Sequence, residues 1–259
     1  MLDKKKLLKL LIGYGVLAGL FLLYWKLRSV APELHYRFVQ GEDKAAEWIT
    51  FFGFWGGAMA CWMTLRFRSQ MGWKGMGFFG VLGLFFFVCA GEEISWGQRV
   101  FGFETPDAML EVNEQEEFNL HNLSFEHLHP KDIVSWSMKL FGIVLPLFFV
   151  WPRVRERWDP GFRYIPPVAI VPVFVLPELI NLFEDGLSAW VASAMGPFDP
   201  AIPGFPRELR IPRQSEELIE MYWGLAVFFA CVALYRAWKR FAEDSRLESP
   251  AEATSVEVD

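Results

Sequence analysis

Two adjacent carboxylates close an almost unbroken apolar run: GFFGVLGLFFFVCA is followed at once by GEEISWGQR, residues 91–99. Glu92 and Glu93 have the chemistry of general acid–base groups, of metal ligands, or of acceptors in a structural network. If the helix continues past Ala90, then Glu92, Ser95, Trp96 and Arg99 share one face, at i, i+3, i+4 and i+7. Glu93 then points about 100° away from it. Arg99, with Gln98 and Trp96, is placed to bind an anionic head group or to orient a carboxylate. A second polar stripe, Glu178, Asn181 and Asp185, has the same kind of spacing. Pro172 and Pro177 precede it, and each leaves an upstream carbonyl without its helical donor. The plainest reading of the prolines is a kink.

The segment between these stripes carries more polar chemistry. Thr105-Pro106-Asp107 has the form of a helix start, and the sequence predicts a short helix from Pro106 to about Glu117. Phe101, Phe103, Met109, Leu110 and Phe118 would hold it in the membrane interface. In Asn119-Leu120-His121-Asn122-Leu123, Asn119 and Asn122 are candidate binding groups around His121. Glu117 and His121 would share a face if helical. A divalent ion such as zinc needs three or four N or O ligands. The candidates are His121, His127, Glu92, Asp185 and Glu220, with Glu93 and Glu178 as acid–base groups. No HExxH is present, and His127-Leu128-His129-Pro130 reads equally as a loop before a helix. Serine chemistry at Ser95 has no GxSxG elbow behind it.

The elements that must position these groups are membrane helices. The 259 residues are 53% hydrophobic, with 26 Phe and 12 Trp, and mean hydropathy is +0.22. Six apolar segments approach the ~20 residues that cross a bilayer as helix: Leu7 to Trp25, Trp48 to Leu65, Gly75 to Ala90, Ile133 to Trp151, Ile165 to Phe183, and Leu218 to Trp238. The third is short unless it continues through Gly91-Glu92-Glu93. The first lacks a small-residue cleavage site, so it is read as a retained helix. With the N-terminus in the cytoplasm, fifteen Lys and Arg fall on the inner side and nine on the outer. Both termini are therefore expected inside, at a bacterial inner membrane.

The expected fold is all-α, a six-helix transmembrane domain over 1–241 with an interfacial helix between the third and fourth helices. A disordered acidic cytoplasmic tail, 242–259, would follow. Cys61, Cys89 and Cys231 lie in apolar segments and imply no disulfide framework. The outer face is acidic and the basic loops are short, which excludes nucleic-acid binding.

This topology puts all four histidines and twenty-two of the thirty-one acids on one side. Positive-inside bias alone explains part of that. It does not explain Glu92-Glu93 or Glu184-Asp185, which close outward-running helices. A helix C-terminus carries roughly −0.5 of an elementary charge and disfavours carboxylates. A cation is therefore expected nearby: an arginine, a histidinium or a metal. At the start of the sixth segment, Ser215 before Glu216-Glu217 is ordinary capping, whereas Glu220 lies one turn deeper.

The run GEEISWGQRVFGFETP with NEQEEFNLHNL behind it resembles a core of bacterial multi-pass membrane proteins of unknown function. Its elements are a GEExSWGQR block, a TP-acid helix start and an NxQxExNLHN block, here Gly91 to Arg99, Thr105 to Asp107 and Asn113 to Asn122. The plan is also similar to membrane hydrolases of the alkaline ceramidase type, whose sites combine acids, serine and histidines around zinc at one membrane face. Their paired HxxxH in a late helix is missing here. Three readings are open. One is a metal-assisted hydrolase or transferase acting on a lipid or lipid-linked substrate at an outer polar pocket. The second is a non-catalytic scaffold or sensor with a structural polar network, and the third is a transporter. The charges gather at one membrane surface and no repeat is visible, which counts against transport.

Overall fold

The computed structural model describes residues 4–31, 44–110, 113, 117–120, 130–158, 163–180, 182 and 216–248. Among them every regular element is helical. We number them α1 (Lys4–Val30), α2 (Ala45–Thr64), α3 (Arg68–Glu93), α4 (Gln98–Phe101) and α5 (Asp107–Leu110). Next come α6 (Pro130–Phe148), α7 (Pro152–Trp158), α8 (Val168–Ile180) and α9 (Glu216–Glu248).

The centre of the fold is the crossing of α2 with α9. Ala46, Thr50, Gly53, Gly57, Cys61 and Thr64 make a stripe of small residues down α2, and all are buried. Small residues let two backbones approach closely, which supplies packing where lipid removes the hydrophobic drive between helices. The approach is tightest at Gly53, where a Cβ would lie 2.4 Å from the carbonyl carbon of Gly224. Further along, a Cβ on Gly57 would meet Val227, and Cys61 Sγ is 3.6 Å from Cys231 Sγ. The matching order of these contacts makes α2 and α9 parallel. Thr50 and Thr64 return their hydroxyls to the carbonyls of Ala46 and Ala60, at 2.9 and 2.7 Å, so neither presents an open polar group to the seam.

Two stretches, Ala45–Glu93 and Glu217–Leu247, are long and apolar enough to cross a membrane. There are three if Pro130–Phe148 and Pro152–Trp158, bent by 115°, form one span. That is fewer than the six expected, and it is a count over the described residues. The first stretch is itself folded back. A straight helix of its length would put its ends about 70 Å apart, yet Arg99 bonds Glu47 at 2.7 Å. The reversal runs from Leu65–Phe67 to a break at Gly72, whose φ is 66°, and beyond it Phe86 stacks on Phe54 and the Phe87 ring meets Trp62 at a 41° tilt. Thus α2 and α3 are two antiparallel legs.

Several expected boundaries move. The fourth segment stops at Phe148 rather than running to Trp151, and the chain turns sharply into α7. A π-helical turn, Leu140–Val144, interrupts α6 where Gly142 meets the ring of Phe174; a Cβ there would lie 2.1 Å from that ring. Of the interfacial helix, Asp107–Leu110 is helical among the described residues, the Asn113 amide donates to the Met109 carbonyl at 2.9 Å, and Glu117 to Leu120 are not helical. At the other end α9 runs to Glu248, past the tail boundary expected at Phe241. Large apolar side chains face outward along the legs, among them Phe52, Val81, Leu84 and Phe148. An exposed apolar belt of this kind is what lipid covers.

Candidate functional site

The GEEISWGQR block does not continue α3. The helix ends at Glu93, and Ser95, Trp96 and Gly97 all have positive φ, 46°, 54° and 76°. Two non-glycine residues in the left-handed region cost about 1–3 kcal/mol each and persist only where neighbours over-determine them. Two contacts hold Trp96. Its indole Nε1 donates to Glu92 Oε1 at 2.7 Å, and its ring covers Gly91, where a Cβ would lie 2.9 Å away. The expected shared face of Glu92, Ser95, Trp96 and Arg99 is therefore replaced by a tight left-handed turn. Glu92 still meets Trp96, while Arg99 swings to other partners.

Arg99 is the hub of a buried polar network. One guanidinium nitrogen donates to Glu47 Oε1, at the start of α2, and another to Glu117 Oε1. The two carboxylates are buried, their side chains 9% and 12% exposed. Glu117 Oε2 accepts from Ser95 Oγ at 2.5 Å and from Asn119 Nδ2 at 2.7 Å. Asn119 Nδ2 also reaches Ser95 Oγ at 3.1 Å, and Asn113 Nδ2 donates to the carbonyl and the Oδ1 of Asn119. Ser95 and Asn119 are essentially sealed from solvent.

Backbone groups complete the arrangement. Gln98 donates to Thr105 Oγ1 and accepts from the Phe118 amide, both at 2.7 Å. The Leu120 amide donates to Glu92 Oε2 at 2.5 Å. Residues 117–120 are thus strapped across the ends of α2 and α3. Such a network is favourable only when its members satisfy one another, because each unpaired buried charge is costly.

Glu93 lies on the other side of α3. It is half-buried, and among the described residues its carboxylate accepts no hydrogen bond and makes no ion pair. The charges acting on it most are those of Glu220 and Glu217 on α9, opposed by Lys131 of α6. Lys131 Nζ itself stands 3.8 Å from Glu220. Glu178, expected near Glu92 and Glu93, instead meets Lys139 of α6 at 3.1 Å. The cation that the sequence demands for Glu178 is therefore a lysine from the neighbouring helix.

Of the candidate residues, the structure joins Glu92, Trp96, Gln98, Arg99 and Asn119 in one network. It sets Glu93 and Glu220 in a neighbouring acidic cluster and separates Glu178. His121, Asn122, His127 and Asp185 lie outside the described residues. Among the described residues no group of three His, Cys, Asp or Glu side chains is arranged to hold a metal. Sequence reasoning gives Glu47 no place in the site and names Asn113 only as the start of the NEQEEFNLHN block, which also holds Glu117; the block carries no geometry. Searched against known families, curated proteins and solved structures, the chain matches none.

Proposed function

We propose that this chain is an integral membrane protein whose GEEISWGQR–NEQEEFNLHNL network is a framework. It fixes the segment after Glu117 at one membrane face, for recognition by a lipid or protein partner. The observation that carries this reading is the commitment of Arg99, Ser95, Glu117, Asn119 and Glu92 to one another. Each of these groups is held by two or more hydrogen bonds within the network, so engaging a substrate would mean breaking bonds that fix the turn and the strap. The six-pass topology with both termini cytoplasmic belongs to this reading, supported by the basic residues at the ends of α2, α7 and α9.

One observation favours a second reading, a hydrolase or transferase acting on lipid-linked substrates. Glu93 stands half-buried beside Glu220 and Glu217, with Lys131 the opposing charge, and among the described residues no donor reaches it. A carboxylate so placed has general acid–base chemistry available, or waits for a cation. Transport has no comparable support.

Metal analysis and lipid turnover on detergent-purified protein separate the two. The framework reading expects no stoichiometric metal, no turnover, and unfolding in Glu92→Ala. Stoichiometric zinc that is lost in His121→Ala or Glu92→Ala, with the helical fold retained, overturns it in favour of the enzyme.

A further inference from the structure

The network has an apolar outer skin. Trp96, Val100 and Phe101 belong to the chain that builds the left-handed turn and α4, yet they are 37%, 64% and 78% exposed. The turn aims them. The Trp96 ring folds back along α3, where it covers Gly91 and meets the Phe87 ring edge-on at 6.3 Å. Gly91 and Phe87 lie about 3 and 9 Å along the axis from the end of α3 at Glu93. The ring therefore hangs toward the middle of the span, not away from it. Phe101 follows it, because its ring lies over Gly97, where a Cβ would be 2.8 Å away.

Below Phe87 the same side of α3 continues through Leu84 and Val81, which are exposed and belong to the lipid-facing belt. One apolar strip thus runs from the belt through Phe87 and Trp96 to Phe101. It ends at carboxylates, since Glu104 and Asp107 are exposed. Arg99 is the one cation in residues 91–110, and Glu47 and Glu117 hold it. The Trp96 N–H is given to Glu92. The strip therefore offers neither charge nor donor at its surface, and its chemistry fits hydrocarbon rather than a phosphate or an acidic peptide.

We propose that the partner of the framework is the bilayer itself: Trp96, Val100 and Phe101 sit among the acyl chains of the near leaflet, just under its head groups, and Trp96 ties that contact to the strap. This rests on the membrane embedding and the framework reading proposed above. Trp96 joins the two sides. Its ring lies in the strip, while its N–H holds Glu92 Oε1, and the other oxygen of Glu92 takes the Leu120 amide. Tryptophan suits this height because its body is apolar and it has one donor to place. The φ of 54° puts the ring on the lipid side of α3 and keeps that bond. The anchor is then the turn with α4, rather than the Thr105-Pro106-Asp107 helix start to which the sequence points.

The test spin-labels the full chain in phosphatidylcholine nanodiscs at Val100→Cys or Phe101→Cys, with Leu84→Cys as the lipid reference and Asp107→Cys as the water reference. Cys61, Cys89 and Cys231 are buried, and wild-type protein carried through the labelling reads their background. At Val100 and Phe101 the ratio of collisions with oxygen to collisions with a nickel chelate should exceed that at Asp107 by about threefold or more, because hydrocarbon excludes the polar chelate. A ratio equal to that at Asp107 overturns the inference, since the strip then faces water. Labels that are immobile and shielded from both agents also overturn it, since a protein then covers the strip. A Leu84 label that itself prefers the chelate overturns the embedding, and the strip with it. For the tie to the strap, Trp96→Phe keeps a ring and removes the donor: hydrogen exchange at Leu120 should quicken by about threefold or more while the Val100 label keeps its ratio. Unchanged exchange overturns the part given to Trp96.

Discussion

Replacing Arg99 by methionine removes the cation and keeps a side chain of similar reach. Glu47 and Glu117 then stand with a shared space between them, their side chains 9% and 12% exposed, and no charge to divide. Removing one partner of a buried pair costs about 3–5 kcal/mol, most of it the uncompensated charge left behind. The Arg99 side chain is 25% exposed, so water reaches part of the site. The expected loss is at the lower end, about 3 kcal/mol. In a chain of this size that lowers the melting temperature by about 6–12 °C. Arg99→Lys should fall between, because one ammonium cannot span two carboxylates as a fork does. Adding Glu47→Gln and Glu117→Gln to Arg99→Met removes both stranded charges and should recover at least half of the loss. Thermal unfolding in nanodiscs reads the energy. Hydrogen exchange at Phe118 and Leu120 reads the strap, since those amides are held by Gln98 and Glu92. Arg99 is not the hub if Arg99→Met melts with the wild type and leaves both amides protected. Stranded charge is not the cause of any loss if the triple variant is no more stable than the single one.

Gly53→Leu should prevent α2 from seating on α9, since its Cβ already falls 2.4 Å from backbone that cannot give way; folded yield in detergent should drop far more than for Gly77→Leu, where nothing lies within 4 Å. Lys139→Met should destabilise by about 1–2 kcal/mol through the carboxylate it strands, less than at Arg99 because Glu178 is 26% exposed, and Lys139→Met/Glu178→Met should return near wild-type stability, measured by thermal unfolding. Glu93→Gln should raise stability by about 1 kcal/mol, the scale of one screened like-charge contact, because it removes a charge held against Glu220 and Glu217. A loss of stability there would mean that the carboxylate has a donor.

The helices are legible in the sequence because length and hydropathy are properties of a segment alone. The close approach at Gly53 and Gly57 depends on Gly224 and Val227 of α9, partners that no single segment supplies. The left-handed turn at Ser95 and Trp96 is not legible. A serine and a tryptophan have no intrinsic preference for positive φ, and the turn is held by the Trp96 ring on Gly91 and its bond to Glu92. Once α3 stops there, a face counted through residue 99 has no meaning, and Arg99 goes to Glu47, 52 residues away in sequence. Electrostatics is a better guide here than periodicity. It calls for cations or donors at the buried acids: Arg99 serves Glu47 and Glu117, Lys139 serves Glu178, and neutral donors hold Glu92. Which group serves depends on the turn after α3 and on how α6 is rotated against α8, which no single segment encodes.

The adjacent acids Glu92 and Glu93 divide the chemistry of this face between them, and helix geometry is the reason. One residue along α3 is a rotation of about 100°, enough to aim Glu92 at the strap and Glu93 at α9 and α6. Glu92 is consumed: its two oxygens accept from the Trp96 indole and the Leu120 amide. A glutamine could make one of those bonds as acceptor, but its amide nitrogen would oppose the other donor. A carboxylate is therefore required there by structure alone. No such argument covers Glu93, which gives up solvation beside Glu220 and Glu217 and receives no hydrogen bond from the described residues in exchange. A framework needs the first glutamate and not the second. Whatever chemistry this face performs beyond holding residues 117–120 in place has Glu93 as its starting point.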